Sequence, residues 1–189
     1  MPHPDIVMSL IQTGLVAAFL LCASGFVASA AGPAPAPVAS DPVATTAAYG
    51  DWVLRCQRGN DKSQACEVAQ TIQVKDKDRT VPVAQITFSR AKSGEPLRIM
   101  VVLPTNIVLP SSAALSLSEK DARPIELPWR RCIPGGCVAE VQPPADALRA
   151  YLTAAEPGRL TFTDATGRPM VLPLSLRGLQ QAIEALNRT

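Results

Sequence analysis

Cys132 and Cys137 enclose Ile133, Pro134, Gly135 and Gly136. Proline presets one backbone angle and glycine takes angles closed to other residues, so this quartet is suited to a tight reversal. Ile125, Leu127 and Trp129 alternate on the way in, and Val138 and Val141 lead out. The stretch 129–141 therefore predicts a β-hairpin with a cysteine on each arm beside the turn. Cys56 and Cys66 bracket the polar run 57–64 in a similar way. Two such hairpins restrict the chain to a strand-built fold.

Four of the five cysteines lie beyond residue 50. An even set in an exported chain points to disulfides, whereas the same set in the cytosol would favour a metal or redox site. Three connectivities are formally open. Local pairing, Cys56 with Cys66 and Cys132 with Cys137, is favoured because each pair spans a plausible turn. A redox role would want a low-pKa Cys-x-x-Cys at a helix start, and finger-like zinc spacing is absent, so no metal is expected. Cys22 stands apart in an N-terminal apolar run.

The remaining composition excludes several functions. A formal charge of +2 and 4% aromatics argue against nucleic acid, which calls for a clustered basic face or stacking platforms. His3 is the single histidine, so a domain without the N-terminus has no imidazole for a triad, a general base or a zinc ligand. No cofactor is expected. Ser111-Ser112 lacks a Gly-x-Ser-x-Gly setting, and Asp76 and Asp78 interleave with Lys75 and Lys77 as in a solvated turn. An enzyme is not expected; an envelope hydrolase using serine and lysine is the least favoured alternative.

Residues 6–30 form a nearly uncharged apolar run ending in Ala28-Ser29-Ala30. Small residues at that exit are a signal-peptidase pattern, with cleavage expected after Ala30. If uncleaved, residues 6–28 are long enough to anchor the chain in a membrane. Residues 31–48, with Pro33, Pro35, Pro37 and Pro42, read as an Ala/Pro-rich linker.

The folded domain is expected over 49–189. Strands are anticipated at Tyr49–Cys56, Cys66–Val74, Val81–Arg90 and Leu97–Leu103. The last is apolar on both faces and suited to the middle of a sheet. More follow at Ala114–Ser118, Arg123–Arg131, Val138–Gln142, Arg159–Thr163 and Met170–Leu174. A short helix opens at Pro143-Pro144-Ala145-Asp146, and a C-terminal helix spans Ser175–Asn187 with Leu176, Leu179, Ile183 and Leu186 on one stripe and Ser175 as N-cap. About nine short strands with frequent turns suit an all-β antiparallel sandwich carrying two short helices.

Tyr49-Gly50-Asp51-Trp52-Val53-Leu54-Arg55-Cys56, then Cys66-Glu67, the central Cys132…Gly136-Cys137 and the closing Leu174-Ser175-Leu176-Arg177-Gly178-Leu179…Ala182 resemble, in that order, the invasion-associated locus B family of bacterial exported proteins. The resemblance implies an immunoglobulin-like sandwich, a periplasmic or outer-envelope location and the two local disulfides. It supplies no catalytic residues. The expected function is therefore binding of an envelope or surface protein. The alternative is an anchored accessory subunit of an envelope complex. Trp129, Arg130 and Arg131 are the candidate binding residues. Neighbouring strand residues face opposite ways, so both arginines reach one site only across a bulge. Without one, one Arg is solvated and the other packs on Glu126 or Glu140. Trp52 and Trp129 are the natural core anchors.

Overall fold

The computed structural model describes residues 43–189 apart from 60–62, 93, 122 and 156. The leader, with Cys22, and most of the linker lie outside the described residues. Among those described, no helix is long and apolar enough to cross a membrane.

Ten strands and two helices follow in chain order. They are β1 (Ala44–Tyr49), β2 (Trp52–Arg58), β3 (Gln64–Asp76), β4 (Arg79–Ser89), β5 (Arg98–Leu103), β6 (Ser112–Ser116), β7 (Ile125–Ile133) and β8 (Gly136–Val141). Then come α1 (Ala145–Thr153), β9 (Gly158–Thr163), β10 (Pro169–Leu174) and α2 (Leu179–Leu186). The strands join in one antiparallel order, β1-β2-β3-β4-β5-β8-β7-β6-β9-β10. The expected immunoglobulin-like sandwich would divide its strands between two sheets; here all ten strands join in a single sheet, in which β7 links β6 to β8. Its first part, Ile125 to Pro128, pairs with β6, and the rest, from Trp129, pairs with β8.

Alternation does most of the folding work. Ala84, Ile86 and Phe88 of β4 and Ile99, Val101 and Leu103 of β5 are buried, as are Leu115 of β6, Leu127 of β7 and Leu160 of β9. All belong to one apolar core. Burying a leucine or phenylalanine of this kind contributes about 1.5–3 kcal/mol each. Trp52 is fully buried and meets Phe88 edge-on, ring centres 5.4 Å apart. As its two-faced apolarity requires, β5 lies inside the sheet between β4 and β8.

Two expected boundaries move. Ala44–Ala48 belong not to the linker but to β1, which pairs residue for residue with β2. Their small side chains bury almost nothing, so β1 exists through backbone pairing and not through an apolar face. The final helix starts at Leu179, with Gly178 in left-handed conformation before it. Ser175 is therefore not its cap: its hydroxyl serves the chain reversal that precedes the helix. The stripe itself is as expected, with Leu176, Leu179, Ile183 and Leu186 all buried.

Candidate functional site

Both disulfides join residues directly opposite each other on neighbouring strands. Cys56 of β2 faces Cys66 of β3, and Cys132 of β7 faces Cys137 of β8. The second bond closes the hairpin tip, where Ile133 is 47% exposed.

Just below that tip the β7–β8 register slips between Trp129 and Arg131. Trp129 still pairs with Ala139 and Arg131 with Val138, leaving Arg130 as the extra residue of a bulge. Alternation is broken there, and Arg130, Arg131, Cys132 and Ile133 are all exposed in succession. The bulge meets the condition for two adjacent arginines to reach one surface. The expected partners are engaged elsewhere: Glu140 pairs with Arg98 at 2.8 Å, and Glu126 accepts a hydrogen bond from Ser112. Among the described residues neither Arg130 nor Arg131 has a carboxylate within ion-pair distance.

Trp129 parts from the arginines. Its partner Ala139 is in the core, its ring packs against that core, and its Nε1 donates to Ser111 Oγ at 3.2 Å. It is half-buried and anchors the bulge against the core. Ser111 in turn donates to the Val108 carbonyl at 2.5 Å, which commits its hydroxyl to this loop. On the β4–β5 side of the hairpin turn lies an open groove of about 460 Å³, lined by Pro82, Val83, Gln85, Val102, Pro104 and Pro134. A second hollow of about 470 Å³ lies under α1, with Pro124, Pro143 and Tyr151 in its wall. The Tyr151 phenol is pushed to higher pKa by burial and then by the Asp121 charge. Among the described residues, no three or more His, Cys, Asp or Glu side chains group as metal ligands would.

Another cluster joins two stretches more than a hundred residues apart. The β1–β2 turn at Gly50 and Asp51 receives the segment from Ser175 to Gly178. Trp52 Nε1 donates to the Ser175 carbonyl at 3.0 Å, and Gln70 Nε2 donates to the same oxygen at 3.1 Å. Ser175 N donates back to Gln70 Oε1 at 3.2 Å. Ser175 Oγ and Arg177 Nε donate to Asp51 Oδ2 at 2.6 and 3.1 Å. Arg177 Nη2 bonds Oδ1, making the pair two-pronged. These bonds, the Arg177 side chain first and Ser175 next, hold the Asp51 carboxyl below its ordinary value.

The approach is close enough to dictate two glycines. A Cβ on Gly178 would stand 2.1 Å from the Tyr49 carbonyl oxygen, and one on Gly50 would stand 2.4 Å from that of Arg177. Both have positive φ, 87° and 58°, where L side chains are strained. Each glycine thus accommodates the backbone of the other's segment, and the cluster is a clasp that docks α2 onto β1–β3.

The arrangement defines a class: a disulfide-pinned antiparallel β domain, closed by a C-terminal helix through a polar clasp. The model of the invasion associated locus B (IalB) protein family matches residues 52–187, and the chain belongs to that family. It is 25% identical over 138 residues to invasion protein B homologs of Brucella abortus strain 2308 and of its biovar 1 strain 9-941. Each alignment covers 73% of this chain and 76% of the relative. Its fold is similar to the crystal structure of invasion associated protein B from Bartonella henselae. The TM-score is 0.62 at 23% identity, over 75% of this chain and 95% of that one.

Proposed function

We propose that the chain is an exported binding module of the cell envelope, which engages another protein or a surface through the β7–β8 hairpin and carries out no chemistry of its own. The observation that carries this reading is the bulge at Arg130. A disulfide-fixed hairpin presents two adjacent guanidinium groups, without carboxylate partners among the described residues, in one exposed run with Ile133. Arginine beside apolar surface is the composition of an interface centre, and the charge selects an acidic partner. Family membership and two cross-strand disulfides support export to the periplasm or outer envelope. Because β7 pairs with β6 along its first part and with β8 along the rest, we take the sheet as an immunoglobulin-like sandwich with β7 common to both layers.

A second reading rests on the apolar run 6–28: the chain stays anchored as an accessory subunit of an envelope complex. N-terminal sequencing of the protein from envelope fractions distinguishes the two. A chain starting at Ala31 is expected for the released module; an intact Met1 supports the anchor. The binding role is tested by crosslinking in the envelope, comparing the wild type with the R130E/R131E double variant. Loss of the crosslinked species in the variant is expected. Equal yield from both would remove the arginines from the interface.

A further inference from the structure

The two edges of the sheet differ in chemistry, and the difference is written in the backbone. Asp164 N donates to the Arg168 carbonyl at 2.9 Å, which sets the hydrogen-bonding phase of the β9–β10 hairpin. Antiparallel pairs alternate between those that exchange hydrogen bonds and those that do not. With Pro169 opposite Thr163 as the next pair, Met170, Leu172 and Leu174 turn their backbone groups toward β9. Pro169, Val171 and Pro173 turn theirs outward. Two of these three are prolines and have no N–H to offer, so this edge is closed to strand addition.

The opposite edge, β1, is open. Arg58 N donates to the Val43 carbonyl at 2.9 Å, and Tyr49 pairs with Trp52 across the turn. That phase directs Val43, Thr45, Ala47 and Tyr49 at β2. Ala44, Thr46 and Ala48 therefore present N–H and C=O outward, and among the described residues no strand pairs with them. Proline is absent from 43–49, and no charge lies between Asp41 and Asp51. Among the described residues of this edge, neither a proline nor a charge protects it.

We infer that β1 is a homotypic pairing edge: a second copy of this chain adds its own β1 antiparallel, centred on Thr46. A two-fold axis there sets Thr46 against Thr46 of the second copy and Ala44 against Ala48. All three outward residues then fall in hydrogen-bonded positions, giving about six N–H···O bonds. The segment is uncharged and its outward-phase residues are small, so these meet their own copies without like charges or bulky side chains opposed, and Val43 faces Tyr49 only at the two ends of the pairing. A strand pair of this length buries less than the roughly 1,000 Å² of a stable interface. The dimer is accordingly weak, and it forms where the chain is concentrated. This edge is separate from the arginine surface and does not depend on it.

Sedimentation velocity over a range of concentrations tests the inference on the protein as recovered from expressing cells. Wild type should show mass rising toward dimer. Thr46→Pro removes an outward N–H, which an edge strand tolerates, and should weaken dimerisation by about tenfold or more. Thr46→Lys and Thr46→Glu should each be monomeric at low salt, and an equimolar mixture of the two should dimerise again. A wild type that stays monomeric at every concentration overturns the inference, as does a T46P variant that dimerises normally. Failure of the Lys and Glu variants to rescue each other overturns the two-fold register at Thr46. Loss of binding to a different polypeptide in T46P, with wild type monomeric, would assign the edge to a foreign strand and also overturn the inference.

Discussion

Among the described glycines, Gly178 leaves the least room for a Cβ, with Tyr49 O where a methyl group would sit. Gly178→Ala combines that overlap with a left-handed φ, and is expected to cost about 2–3 kcal/mol, read as a lower urea midpoint. An unchanged midpoint would mean the clasp does not hold α2. The carboxylates make a separate prediction. Asp51 is held low first by the Arg177 side chain, and Asp164 first by the Thr166 hydroxyl and then by the Arg168 backbone N–H. A folded pKa below the unfolded one means that the unfolded chain binds more protons across that interval. The stabilisation is therefore complete above about pH 4 and is lost as pH falls toward the folded values. Urea midpoints should fall below about pH 4 in the wild type and less steeply in a D51N/D164N variant. Parallel slopes in the two proteins would show that these groups do not govern the acid limb.

At the scale of elements, the two cross-strand bonds fasten hairpins whose turns alone are short. Each closed loop is worth about 2–3 kcal/mol, so the C132S/C137S variant should lose stability of that order and loosen the tip carrying Arg130 and Arg131. Thiol labelling followed by mass measurement should find both pairs oxidised in the exported protein; four labelled cysteines would contradict the export proposal. These hairpins were legible because turn residues and flanking alternation coincide within a few positions. The core of β4 and β5 was legible for the same reason. β1 was not: Ala44, Thr45 and Thr46 have no apolar period and follow a proline-rich run, and only pairing across Gly50-Asp51 makes them a strand. The bulge also left no local mark, since neither glycine nor proline stands at Arg130. Ser175 looked like a helix cap because a hydroxyl before an apolar stripe normally is one. Its actual partner, Asp51, lies at the other end of the chain, and no local pattern reports a contact of that span.

For the whole molecule, the polar clasp and the proposed binding surface fall on different residues. The stretches around Gly50-Asp51-Trp52 and Ser175–Gly178 spend their polar groups on each other, so substituting them should reduce stability and reduce binding only as a consequence. The arginines on the bulge should behave in the opposite way, because exposed charges without partners contribute little to folding. The domain is thus a closed scaffold with a charged face on one hairpin. The most direct test measures thermal unfolding and envelope crosslinking together on R130E/R131E. The expected result is an unfolding midpoint within a few degrees of wild type and loss of the crosslinked partner. An unimpaired crosslink at that same stability would contradict the assignment of the binding face.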